Sequence, residues 1–354
     1  MPTVAAMRAA MACEYDAHLY TRGSNPTVEI LRRKVAALEG AEDALLFASG
    51  AAAIAAAVLA AVRGGDHVVC VTKPYSWTRA LLRDLLPGFG VLTTWVDARD
   101  AAEVESALRP ATQLLVLESP NSLTFEQQDL ATMASIARPR GILTMVDNSY
   151  ATPLGRSPLA LGIDVVLHSG TTYLAGHSDV LMGALCATRA FCERVFRGPY
   201  MTLGAVLSPH DAWLALRGLR TPEVRMDRIG ASTREVAAFL AAHPKVRRLY
   251  WPHAADEPQA GLTARQLRRA GGLLSIDLDT DLDGVERFCD GLRRFLMAVS
   301  WGGYESLVLP VAGVRDWRGR ESDAGVPVTL VRLSIGLEDP VRLVDDLAQA
   351  LARI

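Results

Sequence analysis

The chain has 354 residues, half of them hydrophobic and 21% charged, which is longer than one core usually grows and points to a globular protein of two domains. A formal net charge of −2 leaves no electrostatic footprint for nucleic acid or an anionic membrane. The longest apolar run, Gly50 to Val62, is too short to span a bilayer. The cysteines (Cys13, Cys70, Cys186, Cys192 and Cys289) show no Cys-x-x-Cys pair and no metal-ligand spacing, so reduced thiols, no metal and a cytoplasmic location are expected. The start of the chain has no basic stretch leading into an apolar one.

Residues 1–12 read as a short helix or a mobile start, followed by the turn-rich loop Tyr20-Thr-Arg22-Gly-Ser-Asn-Pro26-Thr27. From Val28 to Leu38 apolar residues recur at helical spacing, with Thr27 as the expected N-cap and Gly40 as the stop. Residues 44–47 read as a strand, and Ser49-Gly50 opens an Ala-rich helix. A strand, a small-residue turn and a helix hold anions at the helix N-terminus. Strands follow at 67–72, 91–96, 114–118, 142–146, 163–168 and 182–187, with helical patterns at 76–86, 100–108 and 127–137. This alternation predicts an α/β fold with a mostly parallel sheet covered on both faces. Ligands on such sheets sit at the carboxyl ends of the strands. Polar clusters at Lys73–Tyr75, Glu118–Ser122, Asp147–Tyr150 and Ser169–Thr172 all fall there.

Beyond about residue 218 the pattern changes. A long helix from Pro222 to about Ala242, strands at 246–250, 272–278, 296–300 and 328–334, a helix near 282–293 and an amphipathic helix over 339–353 predict a smaller α+β domain. The expected division is an N-terminal arm (1–22), a large domain (23–218) and a small domain (219–354).

One stretch organises the rest: residues 164–179, Asp-Val-Val-Leu-His-Ser-Gly-Thr-Thr-Tyr-Leu-Ala-Gly-His-Ser-Asp, an apolar strand that dissolves into hydroxyl residues. It resembles the cofactor-lysine segment of the Cys/Met-metabolism enzymes that depend on pyridoxal phosphate (PLP), which reads Ser/Ala-x-Thr-Lys-Tyr-x-x-Gly-His-Ser-Asp. Further tracts carry the likeness along nearly the whole chain. They are Tyr20-x-Arg22, Phe47-Ala-Ser-Gly50, Glu118-Ser-Pro-Asn-Ser122, Val146-Asp147-Asn148, Arg217-Gly-Leu-Arg, Ser300-Trp301-Gly-Gly-Tyr-Glu-Ser-Leu307 and Leu330-Val-Arg332-Leu-Ser-Ile-Gly-Leu-Glu-Asp339. Glu118-Ser-Pro-x-Ser122 and Ser300-Trp-Gly-Gly-Tyr-Glu-Ser-Leu307 are most similar to the bacterial cystathionine β-lyase branch. The resemblance implies fold type I, with a seven-stranded, mostly parallel sheet and a smaller C-terminal α+β domain. It also implies a homo-oligomer, dimer or tetramer, whose subunits share active sites.

The same resemblance assigns roles. Asp147 would pair with the pyridine nitrogen so that the ring accepts electrons, although Asp-Asn is also good turn chemistry. Tyr75 would stack on the ring, or would be a plain core tyrosine. Gly50 and Ala51, through backbone N–H groups, and Ser169 and Thr171, through hydroxyls, would hold the phosphate. Tyr20 and Arg22 would reach a neighbouring subunit's phosphate site. Arg332 suits bidentate capture of a substrate carboxylate, since a charge in that apolar strand is costly without a partner. Ser300 and Trp301 would flank it, Trp301 fitting a core role equally. His177 reads as a structural turn residue.

Thr172 stands where the family pattern has its Schiff-base lysine. A threonine hydroxyl forms no imine and is a poor base at neutral pH. PLP would therefore be held non-covalently, or as an external aldimine with the substrate's amine. The chain has three lysines, Lys34, Lys73 and Lys245, and only Lys73, close to Tyr75, is placed to substitute. Three explanations stay open: a disabled carbon–sulfur β-lyase, a lysine-free member with altered chemistry, or a non-catalytic binding partner. The expected substrate is a sulfur-containing amino acid. The β-lyase reaction releases thiol, pyruvate and ammonia.

Overall fold

A computed structural model describes residues 1–315 and 325–354. The first sheet contains β1 (Asp43–Phe47), β2 (His67–Val71), β3 (Leu92–Val96), β4 (Thr112–Glu118), β5 (Leu143–Asp147), β6 (Val165–Ser169) and β7 (Gly183–Ala187). Their order is β1-β7-β6-β5-β4-β2-β3. Strands β2 to β6 pair in parallel, and β7 runs antiparallel to both β1 and β6. Apolar runs such as Val68–Val71 and Leu114–Leu117 are buried along their length, as expected of strands covered on both faces. Helices α1 (Val4–Ala12), α2 (Pro26–Glu39), α3 (Gly50–Ala61), α4 (Ser76–Ala80), α5 (Ala101–Ala107) and α6 (Leu130–Ala137) accompany these strands. Ala53, Ala57 and Val58 of α3 join Leu114, Val166 and Leu185 in one continuous core.

The second sheet has the order β10-β11-β12-β9-β8, built from β8 (Val246–Tyr250), β9 (Leu273–Leu278), β10 (Leu296–Met297), β11 (Leu307–Pro310) and β12 (Leu330–Ser334). The helices Pro222–Ala241, Leu282–Gly291 and Pro340–Leu351 cover it around Leu274, Ile276, Phe288, Leu343 and Leu347.

Three local expectations need correction. The N-cap of α2 is Asn25, whose side chain accepts the Thr27 N–H at 3.0 Å. Pro26, lacking an N–H and fixed in φ, takes the first helical position. The helix expected over 76–86 is α-helical only to Ala80, then widens and tightens into a 3₁₀ turn over Leu86–Phe89, where Pro87 cannot continue an α-helical ladder. Strand β11 was not expected. Its run of three apolar residues closed by Pro310 is shorter than a periodic signal needs.

Candidate active site

Parallel pairing puts Glu118 and Asp147, the last residues of β4 and β5, in register. Two carboxylates therefore stand side by side at the carboxyl end of the sheet. Among the described residues neither forms an ion pair. Burial raises the Asp147 carboxyl above the usual carboxylate range, opposed by Ser149, whose N–H donates to Oδ1 at 2.9 Å. Burial, and then the charge of Asp147, pushes Glu118 up to about 8. Such a pair favours an added proton or cation between its members. The Glu118 carboxylate also accepts the backbone N–H of Tyr75, tying the start of α4 to the end of β4. Tyr75 is 38% exposed. Burial, with the nearby charges of Asp147 and Glu118, raises its phenol.

The anion cradle lies one strand further on. Ser49 caps α3, its Oγ accepting the Ala52 N–H at 3.2 Å, which leaves the N–H groups of Gly50 and Ala51 without intrahelical acceptors. A Cβ on Gly50 would lie 3.0 Å from Cβ and 3.2 Å from Oγ of Ser169, so a larger residue would crowd the approach of the helix end to β6. The Ser169 N–H donates to Ser149 Oγ at 2.6 Å. The Thr171 hydroxyl is already engaged with Met182, accepting its N–H at 2.9 Å and donating to its carbonyl at 3.3 Å.

Thr172 is buried, and its hydroxyl donates to the Ser169 carbonyl at 2.8 Å. Gly302, with φ of +78°, presses against it: a Cβ there would be 2.9 Å from Thr172 Cβ. Trp301, half-buried, meets the Tyr173 ring edge-on at 5.4 Å, and the Tyr173 hydroxyl accepts the Gly272 N–H at 2.6 Å. Ser300 is exposed. Arg332, on β12, is 6% exposed. Its guanidinium donates to the Val299 carbonyl at 2.7 Å and the Ser122 carbonyl at 3.4 Å, with no carboxylate partner among the described residues. Burial pulls it down to about 10.

Tyr20 and Arg22 stay outside this cluster, both exposed, with the guanidinium 5.3 Å from the Tyr20 ring centre. His177 binds the Ala175 carbonyl through Nδ1 at 2.7 Å, as a turn residue does. The lysines are placed elsewhere. Lys73 Nζ pairs with Glu126 at 2.6 Å, Lys245 Nζ donates to the Leu351 carbonyl at 3.2 Å, and Lys34 is exposed on α2. Sequence reasoning set Glu118 in a polar cluster at a strand end and in a motif without giving it a role of its own, and overlooked the buried Arg156, because an arginine after a Gly turn reads by default as surface.

These groups fit PLP. Carboxylates at a strand end without a cationic partner suit a pyridinium nitrogen, the α3 N-terminus with Ser169 suits a phosphate, and a buried guanidinium without a carboxylate partner suits a carboxylate. Comparisons with known proteins agree. The chain is 40% identical over 354 residues to L-methionine gamma-lyase of Pseudomonas putida, covering 99% of this chain and 89% of that one. It is 35% identical over 344 residues to cystathionine beta-lyase MetC of Bacillus subtilis, covering 96% and 88%. The crystal structure of metB from Corynebacterium glutamicum superposes with a TM-score of 0.92 at 34% identity, over 95% of this chain and 88% of that one. The model of the Cys/Met metabolism PLP-dependent enzymes matches residues 3–352. The cofactor of the fold just described is therefore PLP, and the chain belongs to the Cys/Met metabolism PLP-dependent enzyme family.

Proposed function

We propose that this chain binds PLP and a sulfur-containing amino acid in a site of the cystathionine β-lyase kind, and that the site is stalled because Thr172 supplies no base. The observation that carries this reading is the Thr172 hydroxyl itself, buried and committed to the Ser169 carbonyl at 2.8 Å. The Nζ of Lys73 is turned into its pair with Glu126.

PLP, when bound, supplies the electron sink for charge left at the substrate's α-carbon. The chain's residues do the rest of the binding work. Asp147 offers its carboxylate to the ring nitrogen, Tyr75 lies against the ring, and Gly50, Ala51 and Ser169 present donors to the phosphate. Thr171 reaches the phosphate by giving up its bond to the Met182 carbonyl. Arg332 orients the substrate by its carboxylate, beside Ser300 and Trp301. β-Elimination would then break the Cα–H and Cβ–S bonds, the thiol leaving with a proton and the remaining enamine hydrolysing to pyruvate and ammonia. Threonine at position 172 cannot take the Cα proton, and a missing positioned base typically costs about 10²–10⁴-fold in rate. Tyr20 and Arg22, exposed in this chain, are read as donors to the phosphate site of a second copy in a homodimer or larger oligomer.

The alternative is a binding or regulatory protein with no use for the cofactor. Absorption spectra of the purified protein with PLP, before and after L-cystathionine, separate the two. A new band that appears only with the amino acid, without pyruvate, is the expected result. PLP lost on the first dialysis, with no response to the amino acid, would favour the binding-protein reading. Pyruvate released by the protein as it stands would overturn the stalled site.

A further inference from the structure

Arg156 is 2% exposed, yet no carboxylate pairs with it among the described residues. Its Nε and Nη2 donate to Asn148 Oδ1 at 3.0 and 2.9 Å. Its Nη1 donates to Ser119 Oγ at 3.2 Å, and Nη2 also donates to the Ser119 carbonyl. Asn148 returns a bond from Nδ2 to the Arg156 carbonyl at 3.4 Å. Ser119 and Asn148 are the residues immediately after Glu118 and Asp147. One guanidinium therefore grips both strand ends at the point where the two carboxylates leave the sheet.

We infer that Arg156 is a positioning residue for the ring-nitrogen end of the cofactor site, fixing the spacing of β4 and β5 so that Asp147 meets the pyridine nitrogen, and supplying the positive charge behind it. This rests on the PLP assignment above. A planar fork with five donors suits the task, because it reaches two loops at once with fixed geometry. A buried guanidinium without an acid is expensive, and a purely structural tie between two loops has no need of the charge. Arg156 is drawn down to about 9 by burial, while the charges of Glu39 and Asp147 pull the other way. Glu39 is bonded to His168 at 2.7 Å, whereas Asp147 has no ion-pair partner among the described residues and directly precedes Asn148, which holds the guanidinium.

The test compares binding of PLP with that of 1-deaza-pyridoxal phosphate, in which C–H replaces the ring nitrogen, by fluorescence titration of the wild-type chain and of Arg156→Gln. The wild type should prefer PLP, and Arg156→Gln should reduce that preference about tenfold, with Arg156→Lys restoring part of it. A merely structural role would weaken both ligands equally and leave the ratio unchanged. That result overturns the inference. Asn148→Ala, which removes the acceptor of two of the guanidinium's bonds, reads the same ratio should Arg156→Gln fail to fold. An unchanged ratio there overturns it too. A wild type that binds neither ligand would defeat the cofactor reading itself, a distinct failure.

Discussion

Replacing Arg332 with methionine should leave the unliganded fold nearly as stable as before and sharply weaken the amino-acid ligand. Arg332 is 6% exposed, and burial pulls its pKa down to about 10 from the ordinary arginine range. At roughly 1.4 kcal/mol per pKa unit, holding that charge in the fold costs about 3 kcal/mol. The cost is in force at any pH below about 10 and fades only as the pH rises through that value. Against it stands the charged hydrogen bond to the Val299 carbonyl at 2.7 Å, contributing about 1.5–3 kcal/mol. The two nearly cancel, so Arg332→Met should change the unfolding free energy by no more than about 1–2 kcal/mol. The bond to a ligand carboxylate has no such offset. Its loss should raise Kd for L-cystathionine, with PLP present, roughly 10- to 150-fold. Urea unfolding and calorimetric titration give the two numbers. A loss of about 3 kcal/mol or more in stability with unchanged ligand affinity would show that Arg332 is a structural arginine.

Thr172→Lys should restore pyruvate release from L-cystathionine by at least about 10²-fold over the chain as it stands, measured with a coupled dehydrogenase assay. Without PLP it should cost at least about 1 kcal/mol of stability, for the lost bond to the Ser169 carbonyl and the burial of a charge. Retained PLP without pyruvate would refute the β-lyase reading while sparing the cofactor. Glu118→Gln should flatten the pH dependence of stability in the unliganded protein. An acid held above its ordinary 4.5, up to about 8, destabilises the fold progressively as the pH climbs through that window and fully above it. A neutral amide still accepts the Tyr75 N–H and carries no such penalty. Urea midpoints at about pH 5 and 9 should therefore diverge less in the variant. Equal slopes would mean that Glu118 is not the group that ionises.

The alternation of apolar strands and helical patterns was enough to read the first sheet, because most of its strands, such as β2, β4 and β6, are mainly apolar runs bounded by turn chemistry. Asp147 and Arg332 were legible for a related reason: a charge that ends or interrupts an apolar strand stands out. Glu118 was not, since its meaning comes from lying in register with Asp147 on the next strand, a relation between segments far apart in the chain. Arg156 was hidden for the same reason, its partners being Ser119 and Asn148. The cap of α2 could have been found, because Pro26 marks the first helical position and points to Asn25 before it. The engagement of Thr171 with Met182 depends on how the chain returns into β7, which local pattern does not encode.

The backbone on either side of residue 172 is anchored by neighbours rather than by the side chain at that position. Thr171 is locked to Met182 before it, and Tyr173 is joined to Gly272 after it. The backbone of the site is thus held largely by neighbours of residue 172, whose own side chain adds one buried bond to the Ser169 carbonyl, worth about 1 kcal/mol. Two of the threonine codons become lysine codons by a single base change. A catalyst of this architecture can therefore cross into a silent ligand-holding relative in one mutational step, and recross, without passing through an unfolded intermediate. Pseudoenzymes should arise readily on such frames.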